Sequence, residues 1–204
     1  DPALATRDYE PLAQESKGRG PAAPPGQYKV RLSVGEMRAT TSFSLLKDPR
    51  VETTQAEFDE QFELLRELNA KRSDLRTQVD RIRQIKRQLD DLVEKLPKGV
   101  RNAVSSATSI RNKLEIIENV LVDAQRESPR DVLRRPAGLD DTLGDLMWCV
   151  TMSDTAPPIQ TQKVSAEVAR KIDGEIRKLN KLVDGPIAAL NAKVEKAGVP
   201  AIIA

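Results

Sequence analysis

The hydrophobic pattern of this chain changes period once, and the change divides it. Tyr28, Val30, Leu32 and Val34 alternate with Lys29, Arg31 and Ser33, the period of two that marks a half-buried strand. Ala39, Thr41, Phe43 and Leu45 alternate again after Gly35-Glu36. The spacing therefore predicts a β-hairpin over residues 27–47 that turns at Gly35-Glu36. Two strands alone are marginal in water, so the hairpin is expected either to belong to a larger sandwich or to pack on the helices.

From about Thr54 the period becomes helical. Thr54 and Glu57 form an S/T-x-x-E capping box, in which each residue satisfies an orphan donor of the first turn. Phe58, Phe62, Leu65, Leu68, Leu75, Val79, Ile82, Leu89, Leu92 and Leu96 then keep three-and-four spacing, with one gap around Arg72. A helix of about 42 residues would be roughly 63 Å long. So long a stripe must lie against another long element or a copy of itself. Pro97-Lys98-Gly99 breaks it, and a second stripe runs from Val100 through Val104, Ala107, Ile110, Leu114, Ile117 and Leu121 to Ala124. The short connection makes the two helices antiparallel.

Ser128-Pro129 ends the second stripe, and Arg134-Arg135-Pro136-Ala137-Gly138 reads as a loop. A shorter helix carries Leu139, Leu143, Leu146 and Val150 and is broken by Ala156-Pro157-Pro158. The last long stripe is Val164, Val168, Ile172, Ile176, Leu179, Val183, Ile187, Leu190 and Val194. Asp184-Gly185-Pro186 interrupts it, where Pro186 either starts a new helix or kinks the old one. Gly198-Val199-Pro200 stops it, and the tail Ala201-Ile202-Ile203-Ala204 is stable only if docked. The fold expected is mainly α: an elongated antiparallel bundle of about three long helices plus a short one over 54–204. The hairpin precedes it, and residues 1–26, rich in Pro, Gly, Ala and charge, form an irregular linker.

Composition narrows the chemistry. Of 204 residues 39% are hydrophobic but only 3% aromatic, so the core is built from Leu, Ile, Val and Ala, as in helical bundles. There is no histidine and one cysteine, Cys149. That excludes Ser-His-Asp and Cys-His machinery, His-ligated zinc and an internal disulfide. No cofactor, metal or catalytic residue is assigned. Asp140-Asp141 with Asp145 is the densest acid cluster, but such residues at a helix start complement its dipole, and nothing else of a glycosidase site accompanies them.

The remaining candidates have plain structural explanations. Lys plus Arg outnumber Asp plus Glu by only 33 to 31. Acids are interleaved with the run Arg81-Ile82-Arg83-Gln84-Ile85-Lys86-Arg87 and with Arg177, Lys178 and Lys181, and Glu67 with Lys71, Arg87 with Asp91 and Asp91 with Lys95 stand at i,i+4. This suits a solvated helix face rather than a nucleic-acid surface, which would also want aromatic stacking groups. Trp148 and Cys149 are expected as a core Trp beside a small buried thiol. Gly18-x-Gly20 lacks the flanking strand and helix of a nucleotide fingerprint. No stretch approaches the roughly 18 apolar residues of a membrane span. The narrow apolar stripes, with both signs of charge on the polar faces, suit helix packing better than lipid.

Two regions together resemble a known junction. Pro25-Gly26-Gln27-Tyr28-Lys29-Val30-Arg31-Leu32-Ser33-Val34, leading through a second strand to Lys47-Asp48-Pro49-Arg50, is similar to the C-terminal region of bacterial exported sortilin-like, BNR-repeat β-propeller proteins often labelled glycosyl hydrolases. There an immunoglobulin-like strand pair closes on a K-x-D-P-R-like segment and runs into a helical region; here the Lys abuts Asp48. Ser153-Asp154-Thr155-Ala156-Pro157, Leu190-Asn191 and Gly198-Val199-Pro200-Ala201-Ile202 resemble that region's closing motifs. The resemblance covers most of residues 21–204. It implies that the hairpin is a remnant of an immunoglobulin-like sandwich and that the parent protein is exported. The start Asp1-Pro2-Ala3, without an initiator Met, a basic n-region or an apolar h-region, reads as that of a piece of a longer polypeptide, with any export signal expected upstream. The propeller where any glycan or peptide site would sit is not in this chain, so the hydrolase label reaches no residue here. The expected function is a non-catalytic accessory or spacer module that supports the upstream propeller, with a possible protein partner. The alternatives are an intermolecular coiled-coil oligomerisation module, over which a monomer is favoured, and a part of a glycosyl hydrolase whose active site lies upstream.

Overall fold

The computed structural model describes residues 20–95, 101–123, 136–195, 198 and 200–204. The expected breaks at Pro97-Lys98-Gly99 and Ser128-Pro129, and most of the expected linker, lie outside the described residues. Strands β1 (Gly26–Val34) and β2 (Met37–Leu45) pair antiparallel, with Val34 opposite Met37 and Gly26 opposite Leu45. The turn falls at Gly35-Glu36 as the alternation predicts. Gly35 takes a φ of 59°, the left-handed region that costs a side chain steric strain.

Helix α1 (Gln55–Lys95) opens with the capping box in place: Glu57 accepts the Thr54 amide at 2.7 Å, and Thr54 Oγ1 accepts the Glu57 amide at 3.4 Å. That backbone bond holds the Glu57 carboxyl below the usual range. At 1.5 Å per residue α1 is about 62 Å long. Helix α2 (Arg101–Leu121) runs antiparallel along its C-terminal half: Arg111 bonds Asp90 at 2.8 Å, and Glu118 accepts from Arg83 at 2.6 Å and Lys86 at 2.9 Å. Helix α3 (Leu139–Thr151) takes over the same position along the N-terminal half. Asp140 lies against Arg72 and Arg76, and the Val150 carbonyl near the other end accepts from Gln61.

Helix α4 (Ile159–Leu182) returns parallel to α1, with Gln162 on Glu60, Lys71 on Asp173 and Arg81 on Asn180. A π-helical turn (Val183–Ile187) carries this rod into α5 (Ala188–Glu195). Pro186 sits inside the π turn, which takes up the missing N–H and the ring without ending the rod. The protein is therefore a helical bundle of three rods: α1, the α4–π–α5 rod, and a third made of α2 and α3 end to end.

One core runs the length of the bundle. Leu75, Val79, Ile82, Ile85 and Leu89 of α1 meet Leu114 and Leu121 of α2, Leu143 of α3 and Ile172 and Leu179 of α4, all essentially without exposed surface. Each such leucine contributes roughly 1.5–3 kcal/mol by leaving water. Val164, expected in the last stripe, is instead 44% exposed. The gap in the α1 stripe is filled as well, since Arg72 and Arg76 are buried on that face. The apolar tail is docked, with Ile202 only 5% exposed.

Candidate functional site: the hairpin and its junction with the bundle

Alternation and register divide the hairpin into two unlike faces. Paired residues share a face. Tyr28–Phe43, Val30–Thr41, Leu32–Ala39 and Val34–Met37 therefore line one side, and Gln27–Ser44, Lys29–Ser42, Arg31–Thr40 and Ser33–Arg38 the other. The first face is almost wholly apolar, the second wholly polar. Tyr28 and Phe43 stack at 5.7 Å between ring centres, and the Tyr28 hydroxyl donates to the Pro24 carbonyl at 2.6 Å. The apolar face is open nonetheless: Leu32 is 63% and Met37 74% exposed. Neither strand packs on any described helix, which removes the second of the two expected settings for the hairpin.

The connector between hairpin and bundle is tied at several points. Arg50 and Asp48 pair through two hydrogen-bonding nitrogens, and the Arg50 side chain and amide hold the Asp48 carboxyl below its usual range. The Val51 amide donates to the Asp48 carbonyl at 3.0 Å, and Lys47 Nζ reaches the Thr53 carbonyl at 2.9 Å. Thr53, buried, donates its hydroxyl to the Asp154 carbonyl. Gln61 Nε2 donates to the Val150 and Ser153 carbonyls, both at 2.7 Å. Gln55 reaches back to the Pro25 carbonyl at 3.0 Å. The start of α1 and the end of α3 are thus stitched together where the connector from the hairpin enters α1.

At the same end Trp148 of α3 and Met152, which caps its C-terminus, are 63% and 61% exposed, and Cys149 is an exposed free thiol. This corrects the expectation of a core Trp beside a buried thiol. The buried residues of α3 are Asp140, Leu143 and Val150, and Trp148 points away from the two apolar ones, standing roughly 140° around the helix from Leu143 and roughly 160° from Val150.

The acid cluster separates on inspection. Asp140 is 1% exposed and accepts bidentate pairs from both Arg72 (3.0 and 3.0 Å) and Arg76 (2.8 and 2.8 Å). Burial pushes its carboxyl up, but the hydrogen bonds and charges of Arg76 and Arg72 outweigh burial and hold it below the ordinary carboxylate value. A carboxyl held ionised and saturated in this way has no proton to give as a general acid. Asp141 is half-buried and Asp145 exposed on the same short helix. Gly144 leaves room for the guanidinium, since a Cβ there would stand 3.2 Å from an Arg72 nitrogen.

The basic run is likewise engaged: Arg83 and Lys86 hold the buried Glu118, and Arg81 reaches Asn180. Lys71 pairs with Asp173 at 2.8 Å across the bundle rather than with Glu67, and Lys178 turns to Glu175. Sequence reasoning missed Arg72, Arg76 and Glu118 as buried groups, although the gap in the α1 stripe marks where the arginines lie.

A shallow groove between α2 and the rod of the π turn and α5 is lined by Ser105, Ser106, Ser109, Lys113 and Lys193 together with the apolar Ile110, Pro186, Ala189 and Leu190, and offers no carboxylate. Among the described residues no group of three or more His, Cys, Asp or Glu converges as a metal site, and no helix is long and apolar enough to cross a membrane. Comparison with protein-family models, with curated proteins and with solved structures finds no match to this chain. The motifs that carry the resemblance have local structural roles: Asp48 and Arg50 close the connector, Asp154 accepts from Thr53, and Asn191 bonds Ile202.

Proposed function

We propose that this chain is a non-catalytic accessory module of an exported sortilin-like β-propeller protein, in which the bundle acts as spacer and the hairpin joins it to a β-sandwich contributed by the same polypeptide. The observation that carries this reading is the hairpin itself. One face is apolar but for Thr41, it touches no helix, and its connector is tied down. A second sheet laid on that face would bury it as the inner face of a sandwich.

The alternative, self-assembly through coiled-coil pairing, has less support. The α1 stripe is already consumed by α2, α3 and α4 within one chain. Nor does the hairpin face favour a free dimer. Nine residues by two strands give roughly 300 Å², so two faces bury about 600 Å², half of what a small stable interface needs. A covalently tethered partner needs less, because tethering supplies a high effective concentration.

Hydrogen exchange of the strand amides tests the proposal, read in the isolated chain and in the longer polypeptide that carries it. Slow exchange in the longer polypeptide, restored to fast by Leu32→Asp, is the expected result. Equal exchange in both settings would remove the sandwich. A dimer of the isolated chain that sediments with concentration dependence and is lost in Leu32→Asp would instead make the hairpin a self-assembly element.

A further inference from the structure

Residues 200–204 form neither helix nor strand, yet two consecutive residues are read through their backbones. Asn191 of α5 donates Nδ2 to the Ile202 carbonyl at 2.9 Å and accepts the Ile202 amide on Oδ1 at 2.8 Å. Gln88 of α1 treats the next residue in the same way, with Nε2 on the Ile203 carbonyl at 2.8 Å and Oε1 accepting the Ile203 amide at 2.7 Å. Two side-chain amides on separate helices thus do the work of a neighbouring strand. Side-chain reading is confined to one position, since Ile202 is 5% exposed and part of the core whereas Ile203 is 77% exposed. Main-chain bonds for affinity and a socket for one side chain are the chemistry by which proteins bind extended peptides.

We infer that the groove between α1 and α5 is a binding site for an extended aliphatic peptide, with the chain's own tail as its resident occupant. The contacts define the ligand class. It needs two free N–H and C=O pairs in succession and a branched aliphatic side chain at the first of the two positions; the second side chain is unread. Helix α5 ends at Glu195, and Gly198, with a φ of 73°, donates its amide to the Glu195 carbonyl. The contacts that hold the occupant, at residues 202 and 203, thus lie beyond the last residue of α5.

A fluorescein-labelled peptide of the sequence Gly-Val-Pro-Ala-Ile-Ile-Ala is the probe, followed by anisotropy against the full-length chain. Ile202→Asp frees the groove by making the resident tail a poor occupant, so this variant takes up the peptide while the wild-type chain, whose own tail competes, takes up less. Adding Asn191→Ala to Ile202→Asp removes two backbone bonds and weakens uptake by about tenfold or more. A peptide with Ser in place of its second Ile binds within about twofold of the original, and one with Ser in place of its first Ile does not bind. The inference is overturned if Ile202→Asp keeps its helical circular dichroism and takes up no peptide, or if Asn191→Ala leaves uptake unchanged. It is equally overturned if Ile202→Asp unfolds, because a segment whose release costs the fold is core rather than ligand. Amide exchange in the wild-type chain gives a second reading. Ile202 and Ile203 amides protected yet released more readily than those of Leu75 support the inference, and amides exchanging at unfolded rates end it.

Discussion

Asp140 illustrates what a single side chain does here. Its carboxylate carries four charge-assisted bonds from two guanidiniums in a buried site, so removing it leaves two buried cations facing each other. Asp140→Ala is expected to destabilise the fold by about 3–5 kcal/mol. Replacing Asp140, Arg72 and Arg76 together with apolar residues of similar volume should recover most of that loss, as chemical denaturation of the two variants would show. The sign of the pH dependence comes from the lowered carboxyl. The folded value lies below the unfolded one of 3.8, so the unfolded chain takes up the proton first as pH falls. The contribution of Asp140 is complete above about pH 4–5 and is lost as acid titrates it toward its folded value. Asp140→Asn should abolish this part of the acid destabilisation; thermal melts of both proteins between pH 2 and 6 with equal slopes would contradict it.

At the scale of elements, the two antiparallel helices are addressed to α1 in the same manner. Each brings one buried acid to a pair of α1 bases: Glu118 of α2 to Arg83 and Lys86, Asp140 of α3 to Arg72 and Arg76. Where the start of α3 meets the end of α2, the backbones approach so closely that a Cβ at Gly138 would stand 2.9 Å from the Val122 Cα and 3.0 Å from the Asp123 nitrogen. Backbone cannot yield as a flexible side chain does. Gly138→Ala is expected to cost about 1–3 kcal/mol, measured by urea denaturation; an unchanged midpoint would show the approach to be looser.

These elements are largely legible from period and punctuation. The alternation over Tyr28–Val34, the capping box at Thr54 and the breaks around Pro157 and Gly198 all locate real boundaries. The end-to-end order of α2 and α3 is not, because a stripe reports which face is buried and not which neighbour buries it. Arg72 escapes notice because charge is ordinarily a surface mark. Trp148 is misplaced when its size is weighed above its angular position. The hairpin's faces can be read from the sequence, but not whether the bundle covers them, since that depends on the direction in which the connector leaves.

For the whole molecule, the continuity of α1 and of the α4–π–α5 rod past the α2–α3 break has a thermodynamic consequence. Neither half of the bundle has a boundary at which it can melt alone, so the described core should unfold in one step. Leu114 and Leu143 lie in different halves and both have no exposed surface. Either replaced by Ala should lower the same single transition by about 2–5 kcal/mol. Calorimetry resolving two transitions, with each variant shifting only one, would refute a shared core.

The tied connector gives the hairpin one further property. Because strand β2 passes into α1 through a short pinned segment, and α1 spans the bundle from end to end, whatever grips the sheet also holds a lever. A small tilt imposed at the strands is delivered, multiplied by the length of the arm, to the distant tip where the tail is clasped.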